Sequence, residues 1–402
     1  ARPWSPVPPG GRSMTTAGID IAVATVVIRG SNSTTPSALS FSCGLIKWCF
    51  SVSHLVQLPY LAGRVEGLVV SNDQAYVRRL CQTEPLPKVV AYSDEVAHAV
   101  RRWSSALSSQ QNRSSASGTE MIGLASLAKW QLVRMIEYRA ILVLDLDIDM
   151  FLSSRGRPPL HGHQASVLKH TLTTLLDRFI RSNASLVATP DFHSPINTGV
   201  MLLKPSRGVY EMGLSTLSNG TFDRLLGFDG VGRPNDALRL SWAAMGAEKT
   251  RWLNRTVMSR SNRWEFVAAT GDQGLFVYIY LVRQRGLAFE PSSHPARWLK
   301  RGDVTSGRVL QSWRVDHFFG GHKPWRGTAR CRDYFAFHDE PSFVKTESSL
   351  WGTTCHSLSL AKAVCLRKNM SHGQCSWCRS RHQKSTCAME PRCPPETGWP
   401  VF

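Results

Sequence analysis

The sequence predicts an α/β protein, and two observations lead to that prediction. Apolar segments of strand length alternate along the chain with amphipathic segments of helix length, a spacing that implies a parallel, doubly wound sheet. The most apolar of these segments, residues 140–144, is followed directly by three carboxylates. Five consecutive apolar residues are typical of a central strand whose two faces are both covered.

The individual elements follow from local patterns. Short β-branched or apolar runs predict strands, and apolar residues at helical spacing predict helices. The predicted strands are residues 19–28, 67–70, 88–92, 140–144, 184–188 and 198–203. The predicted helices are residues 36–60, 73–81, a segment from Leu124 onward, 168–180, a segment capped by Ser206 that runs to Leu217, and 271–285. The serine-rich stretch 104–118 predicts a loop, and residues 220–270 predict a long irregular region.

The bulk composition limits the classes of partner. The chain has 402 residues, 42% of them hydrophobic, and a formal net charge of +19. This charge favours anionic partners such as phosphates, acidic glycans or a membrane surface. No arginine run interleaved with aromatic residues is present, so we expect no nucleic-acid partner. No segment reaches the roughly 18 apolar residues that span a bilayer, and we expect any signal or anchor to lie upstream of Ala1.

Asparagine and cysteine usage predicts the compartment. Six of the ten asparagines lie in N-x-[ST] sequons, and seven of the ten cysteines follow position 330. The sequons are typical of a glycosylated chain, and the clustered cysteines are typical of disulfides. We therefore expect the Golgi or another part of the secretory lumen rather than the cytoplasm.

The acidic stretch Asp145-Leu-Asp147-Ile-Asp149 is the first candidate site. On a strand, residues two apart share a face and lie about 6–7 Å apart, so we expect the three carboxylates to point the same way. Their repulsion would be relieved by a divalent cation, and ligands of open α/β sheets bind at the carboxyl ends of the strands. The alternative is a strand that emerges into solvent with an acidic tip.

Six motifs in register resemble those of the family 8 glycosyltransferases, the group that includes glycogenin and galactinol synthase. They are Lys129 sixteen residues before Asp145, Asp145-Leu-Asp147, Ala188-Thr-Pro-Asp191, Asn197-Thr-Gly-Val, Gly271-Asp-Gln-Gly274 and His317-Phe-Phe-Gly-Gly-His-Lys323-Pro-Trp325. The resemblance covers roughly residues 19–326. It implies the GT-A nucleotide-diphospho-sugar transferase fold, with a Rossmann-like, mostly parallel sheet, and a retaining, Mn²⁺-dependent transfer from a UDP-sugar.

The resemblance also implies a metal site. In the family, D-x-D carboxylates and a histidine hold Mn²⁺ (or Mg²⁺), which maps the ligands onto Asp145, Asp147 and His317. Two oxygens and one imidazole suit Mn²⁺. Asp149 allows a second pairing, Asp147 with Asp149, although the spacing from Lys129 favours Asp145.

The remaining matches would contact the donor. Lys323 is expected to contact the diphosphate, Gly320 to let the backbone approach it, and Lys129 to bind phosphate or sugar. Four residues match positions around the donor sugar: Asp191, Asn197, Asp272 and Gln273. Asp272 or Gln273 would lie near the anomeric carbon as the catalytic residue. We favour front-face attack, with the Gln273 carboxamide stabilising positive charge, over double displacement. Asp272 can also be explained as a helix cap.

Three regions are expected. Residues 1–18 are a disordered N-terminal segment, 19–330 the glycosyltransferase domain, and 331–402 a basic, Cys-rich region. In that last region Cys375-Ser-Trp-Cys378 resembles a plexin-type (PSI) disulfide repeat, and a zinc site is the alternative. This region is expected to dock on anionic glycans or membranes.

The sequence thus predicts a hexosyltransferase that acts on a glycan, polyol, lipid or protein acceptor. Two alternatives come from other classes: a phosphohydrolase of the haloacid-dehalogenase type, whose D-x-D also ends an apolar strand, and a non-catalytic glycan-binding protein. Tyr210, Tyr278 and Tyr280, the nearest candidates for self-glycosylation, are predicted to be core residues instead.

Overall fold

The computed structural model of the protein describes ten stretches of the chain. They are residues 18–29, 36–58, 60–111, 126–149, 163–188, 194–245, 262–286, 289–291, 296–298 and 315–317.

The main sheet of the described residues has seven strands in the order β10-β6-β7-β4-β1-β2-β3. These strands are β1 Ile21–Val27, β2 Val65–Ser71, β3 Lys88–Ala91, β4 Ala140–Leu144, β6 Leu186–Ala188, β7 Val200–Leu203 and β10 Phe289–Pro291. A small sheet has the order β11-β12-β5, with β5 Ile148–Asp149, β11 Ala296–Trp298 and β12 Val315–His317. A hairpin joins β8 Phe222–Asp223 to β9 Gly227–Phe228.

Helices flank the sheet on both faces. The α-helices are α1 Pro36–Val56, α2 Gln74–Leu80, α3 Asp94–Gln111, α4 His163–Arg181, α5 Arg207–Asn219, α6 Pro234–Met245 and α7 Asp272–Phe276. A 3₁₀ helix spans Leu127–Arg134, and a π-helix spans Val277–Arg283 directly after α7. None of the described helices is long and apolar enough to cross a bilayer.

Two hydrophobic cores result, one on each face of the sheet. Alternate residues of β1 belong to different cores: Ala22 and Ala24 face one core, and Ile21 and Val23 the other. The first core contains residues of α3, α5, α7 and the π-helix, and the second contains residues of α1, α2 and α4. Burial on both faces explains why the strands are continuously apolar. The predicted α/β class, with a Rossmann-like and mostly parallel sheet, is confirmed.

One strand of the main sheet departs from the parallel order. β7 runs antiparallel to both of its neighbours, β4 and β6. Only residues 189–199 connect β6 to β7. A parallel crossover needs a dozen or more residues, usually with a helix, whereas an antiparallel return needs far fewer.

Three local predictions also differ from the structure. The serine-rich stretch predicted as a loop is helical in its described part, since α3 continues to Gln111. The predicted α-helix from Leu124 is a 3₁₀ helix in its described part. The region predicted as irregular contains α6 and the β8–β9 hairpin. Tyr210, Tyr278 and Tyr280 are buried, as predicted.

Candidate active site

The two carboxylates of the D-x-D motif lie on a turn that follows β4. The strand ends at Leu144, and the amide of Asp145 donates to the carbonyl of Gly199 at 2.9 Å. The turn closes where the amide of Ile148 donates to the carbonyl of Asp145 at 3.0 Å. The predicted strand alternation is therefore wrong beyond Leu144, because Asp145 and Asp147 sit on a turn. Both residues are partly exposed at the carboxyl edge of the sheet.

Lys129 is buried between two of the predicted site carboxylates. Its Nζ atom lies 2.8 Å from a carboxylate oxygen of Asp145 and 3.0 Å from Oδ2 of Asp272. The same ammonium donates to the carbonyl of Thr198 at 3.3 Å. The lysine side chain is only 8% exposed, so these contacts replace water. The 3₁₀ helix thus brings one positive charge to two acids that are distant in sequence.

The pKa values reflect a shortage of positive charge. Burial would lower the pKa of Lys129, but the carboxylates of Asp145 and Asp272 together raise it above its ordinary value. Burial raises the pKa of Asp145 despite Lys129, and repulsion from Asp147 raises it further. One ammonium is shared by two carboxylates, Asp145 and Asp272, and the neighbouring Asp147 adds to the negative charge at Asp145.

Asp272 is the better stabilised of the two carboxylates that contact Lys129. Burial alone would raise its pKa, but Lys129 and hydrogen bonds from Ser126 and Thr198 prevail and lower it. The Thr198 hydroxyl donates to Oδ2 at 2.6 Å, and the amide of Gln273 donates to Oδ1 at 3.0 Å. Both carboxylate oxygens are therefore engaged by the protein itself.

The motif around Thr198 reaches the site because β7 is antiparallel. The start of β7 at Val200 is paired with Leu144, so the residues before it lie at the same edge as the end of β4. Asn197 is buried there, and its Oδ1 accepts the amide of Gly199 at 2.8 Å. This bond fixes the backbone at Gly199, and the carbonyl of Gly199 accepts the amide of Asp145. Sequence reasoning selected Asn197 and missed Thr198, although Thr198 belongs to the same motif.

The Gly271–Gly274 motif forms the entry to α7. Gly271 is the N-cap residue, and Asp272 and Gln273 begin the helix with both side chains buried. A Cβ atom on Gly274 would lie 1.6 Å from the carbonyl oxygen of Ala269, so only glycine fits there. This glycine therefore serves helix packing. The cap residue is therefore Gly271 and not Asp272, whose side chain belongs to the ion-pair cluster with Lys129.

His317 is brought next to the acidic turn by its backbone. The register of the small sheet pairs His317 of β12 with Ile148 of β5, one residue after Asp147. Directly opposite residues of antiparallel strands lie about 4.5–5.5 Å apart between Cα atoms. Residues far apart in sequence thus converge as the predicted metal site requires, although the structure describes only the backbone of His317.

Other predicted residues lie outside the described part. Asp191, Gly320 and Lys323 are in this group, as are all seven cysteines of the C-terminal region. Within the described residues no cluster of three or more His, Cys, Asp and Glu side chains is arranged to hold a metal ion. The ligand set Asp145, Asp147 and His317 therefore stays a prediction.

Comparison with known proteins gives only remote similarities. No protein-family model matches the chain, and no curated protein matches it in sequence. One similar solved structure is the galactosyltransferase LgtC in complex with donor and acceptor sugar analogues, with 14% identity and a TM-score of 0.37, covering 82% of this chain and 96% of that one. Another is apo mouse xyloside xylosyltransferase 1, with 16% identity and a TM-score of 0.35, covering 75% of this chain and 97% of that one.

Proposed function

We propose that this protein is a glycosyltransferase of GT-A fold and family 8 type. It would transfer a hexosyl group from a UDP-sugar to a glycan, polyol, lipid or protein acceptor with retention of configuration. The observation that carries the proposal is the composition of the acidic edge. One buried ammonium is shared there by Asp145 and Asp272, Asp147 repels Asp145, and the β5–β12 register brings the backbone of His317 alongside.

The candidate metal ligands suit a hard divalent cation. Asp145 and Asp147 offer carboxylate oxygens on a partly exposed turn, and His317 would add an imidazole. Such oxygen and nitrogen ligands suit Mn²⁺, and Mg²⁺ is the alternative. A divalent cation would relieve the repulsion between Asp145 and Asp147. When bound, the ion would neutralise the diphosphate of the departing UDP.

The residues at α7 would act on the sugar. Asp272 is held by Lys129, by the Thr198 hydroxyl and by the amide of Gln273. A carboxylate engaged at both oxygens is a poor nucleophile, which favours front-face attack over double displacement. Asp272 would then orient the site, and the carboxamide of Gln273 would stabilise positive charge at the anomeric carbon. Asp191 and Asn197 would complete the sugar contacts, and Gly320 and Lys323 those of the diphosphate.

We place the protein in the lumen of the secretory pathway, with the basic C-terminal region as a docking module for anionic glycans or membranes. Six sequons support this compartment. A disulfide between Cys49 and Cys81 inside the catalytic domain supports it too, because such bonds persist in oxidising compartments.

A donor screen tests the proposal. Purified protein is incubated with individual UDP-sugars and Mn²⁺, and released UDP is measured. We expect turnover of at least one donor, its loss in EDTA and its loss in Asp147→Ala, whose fold should persist because a partly exposed side chain is removed. Turnover that is unchanged in EDTA would contradict the proposal. Hydrolysis of p-nitrophenyl phosphate without any release of UDP would favour the phosphohydrolase instead.

A further inference from the structure

One face of α1 is in contact with the acidic turn. Three of its residues, Gly44, Lys47 and Trp48, have the i, i+3, i+4 spacing that places side chains together on a helix. A Cβ atom on Gly44 would lie 3.2 Å from Cβ of Leu146, the residue between the two D-x-D carboxylates. The helix therefore approaches the turn closely at this glycine.

The other two residues bind the turn at its two ends. The Trp48 indole N–H donates to the carbonyl of Leu144, the last residue of β4, at 3.1 Å. The Lys47 ammonium donates to the carbonyl of Ile148, the first residue of β5. Both side chains are 1% exposed. Asp145 and Asp147 lie between these two anchored carbonyls.

A buried lysine in an apolar helix face needs a reason. Lys47 is flanked by Leu45, Ile46 and Trp48, all buried in the core beneath the sheet. Taking an ammonium out of water is costly, and an apolar residue would pack at this position at lower cost. The bond from Lys47 to the carbonyl of Ile148 ties this ammonium to the end of the acidic turn.

We propose that Lys47 is a positioning residue for the metal site and that Trp48 supports it. The two side chains fix the carbonyls that bracket the acidic turn, so that Asp145 and Asp147 are held in one arrangement before a cation binds. The proposal rests on the proposed function, because the turn matters as a ligand pair for a divalent cation. Groups that orient metal ligands in this way commonly change metal affinity by 10–100-fold when removed.

The test is Mn²⁺ affinity, measured by electron paramagnetic resonance of free Mn²⁺ with and without UDP. Lys47→Met keeps the length and apolar stem of the side chain and removes its donor. We expect it to weaken Mn²⁺ binding about 10-fold or more. Hydrogen exchange of the amides at positions 145–148 should accelerate in the same variant without metal. Trp48→Phe removes one N–H group and should also weaken Mn²⁺ binding. It replaces Lys47→Met as the test variant if Lys47→Met does not fold.

The matched control is Ser53→Ala on the same helix. The Ser53 hydroxyl donates to the carbonyl of Glu84 at 2.6 Å, away from the acidic turn. This variant should lower stability slightly and leave the Mn²⁺ affinity unchanged. Folded Lys47→Met and Trp48→Phe proteins that bind Mn²⁺ as the wild type does would overturn the inference alone. A wild type that binds no Mn²⁺ would contradict the proposed function and the inference with it.

Discussion

At the scale of residues, the sequence predicts that Lys129 belongs to the site, and the fold shows which carboxylates it contacts. Its spacing from Asp145 marked it as a site residue, and Asp272 was marked separately. The ammonium of Lys129 bonds both carboxylates because the 3₁₀ helix contacts the end of β4 and the start of α7. No local pattern contains such contacts. The sequence therefore predicted the members of the cluster, and only the fold shows how they pair.

Removing the Lys129 charge should destabilise the protein strongly. Lys129→Met leaves Asp272 buried without its cation, which typically costs about 3–5 kcal/mol. The loss is measured as the change in the free energy of unfolding in urea. Lys88→Met is the matched control, because the Lys88 side chain is 46% exposed and its Nζ atom lies 4.0 Å from Oε1 of Glu66. A surface pair of this kind contributes about 0–1 kcal/mol, and equal losses in both variants would contradict the account.

Asp73 gives a pH-dependent prediction. Its carboxylate accepts the amide of Tyr76 as the N-cap of α2 and pairs with Arg29, which lowers its pKa below 3.8. A lowered pKa stabilises the fold at pH values above the ordinary pKa, and this contribution is lost as the pH falls through the folded-state pKa. Asp73→Ala should therefore cost about 1 kcal/mol at pH 7.

The difference between wild type and Asp73→Ala should shrink as the pH falls below about 4. Urea unfolding followed by circular dichroism at a series of pH values measures it. A difference that stays constant down to the lowest pH at which the fold persists would count against a role for the ionised carboxylate.

At the scale of elements, the sequence predicted every strand of the seven-stranded sheet except β10. Strand signals were clear because both faces of the sheet are buried. The serine-rich part of α3 was predicted as a loop because serine disfavours helices. Trp103 and Leu107 bury their side chains in the core, and this packing outweighs local propensity. The segment predicted as an amphipathic α-helix is a 3₁₀ helix whose residues 127–133 are all buried.

The disulfide between α1 and the end of α2 should matter for stability. Cys49 and Cys81 are 32 residues apart in sequence, and closing a loop of this length stabilises a fold by roughly 3–4 kcal/mol in the chain-entropy description. The double variant Cys49→Ser/Cys81→Ser should lose about this amount in denaturant unfolding. Adding a reductant should lower the stability of the wild type and leave that of the variant unchanged. Equal sensitivity to reductant in both proteins would contradict the prediction.

At the scale of the whole molecule, the sheet explains why the site lies where it does. Parallel β1 and β4 end at the same edge, and antiparallel β7 begins there. The acidic turn, the motif around Asn197 and the start of α7 consequently meet at one place. The α/β class and the carboxyl edge were predictable from strand periodicity. The reversal of β7 was not, because strand direction depends on the connection and not on the residues of the strand.

The electron spin-echo spectrum of bound Mn²⁺ tests most directly whether the acidic turn and His317 hold one cation. Protein loaded with Mn²⁺ and UDP should show a nitrogen coupling from one imidazole, and His317→Gln should bind Mn²⁺ more weakly and without that coupling. A wild-type spectrum free of nitrogen coupling, or a coupling that persists in His317→Gln, would contradict the account.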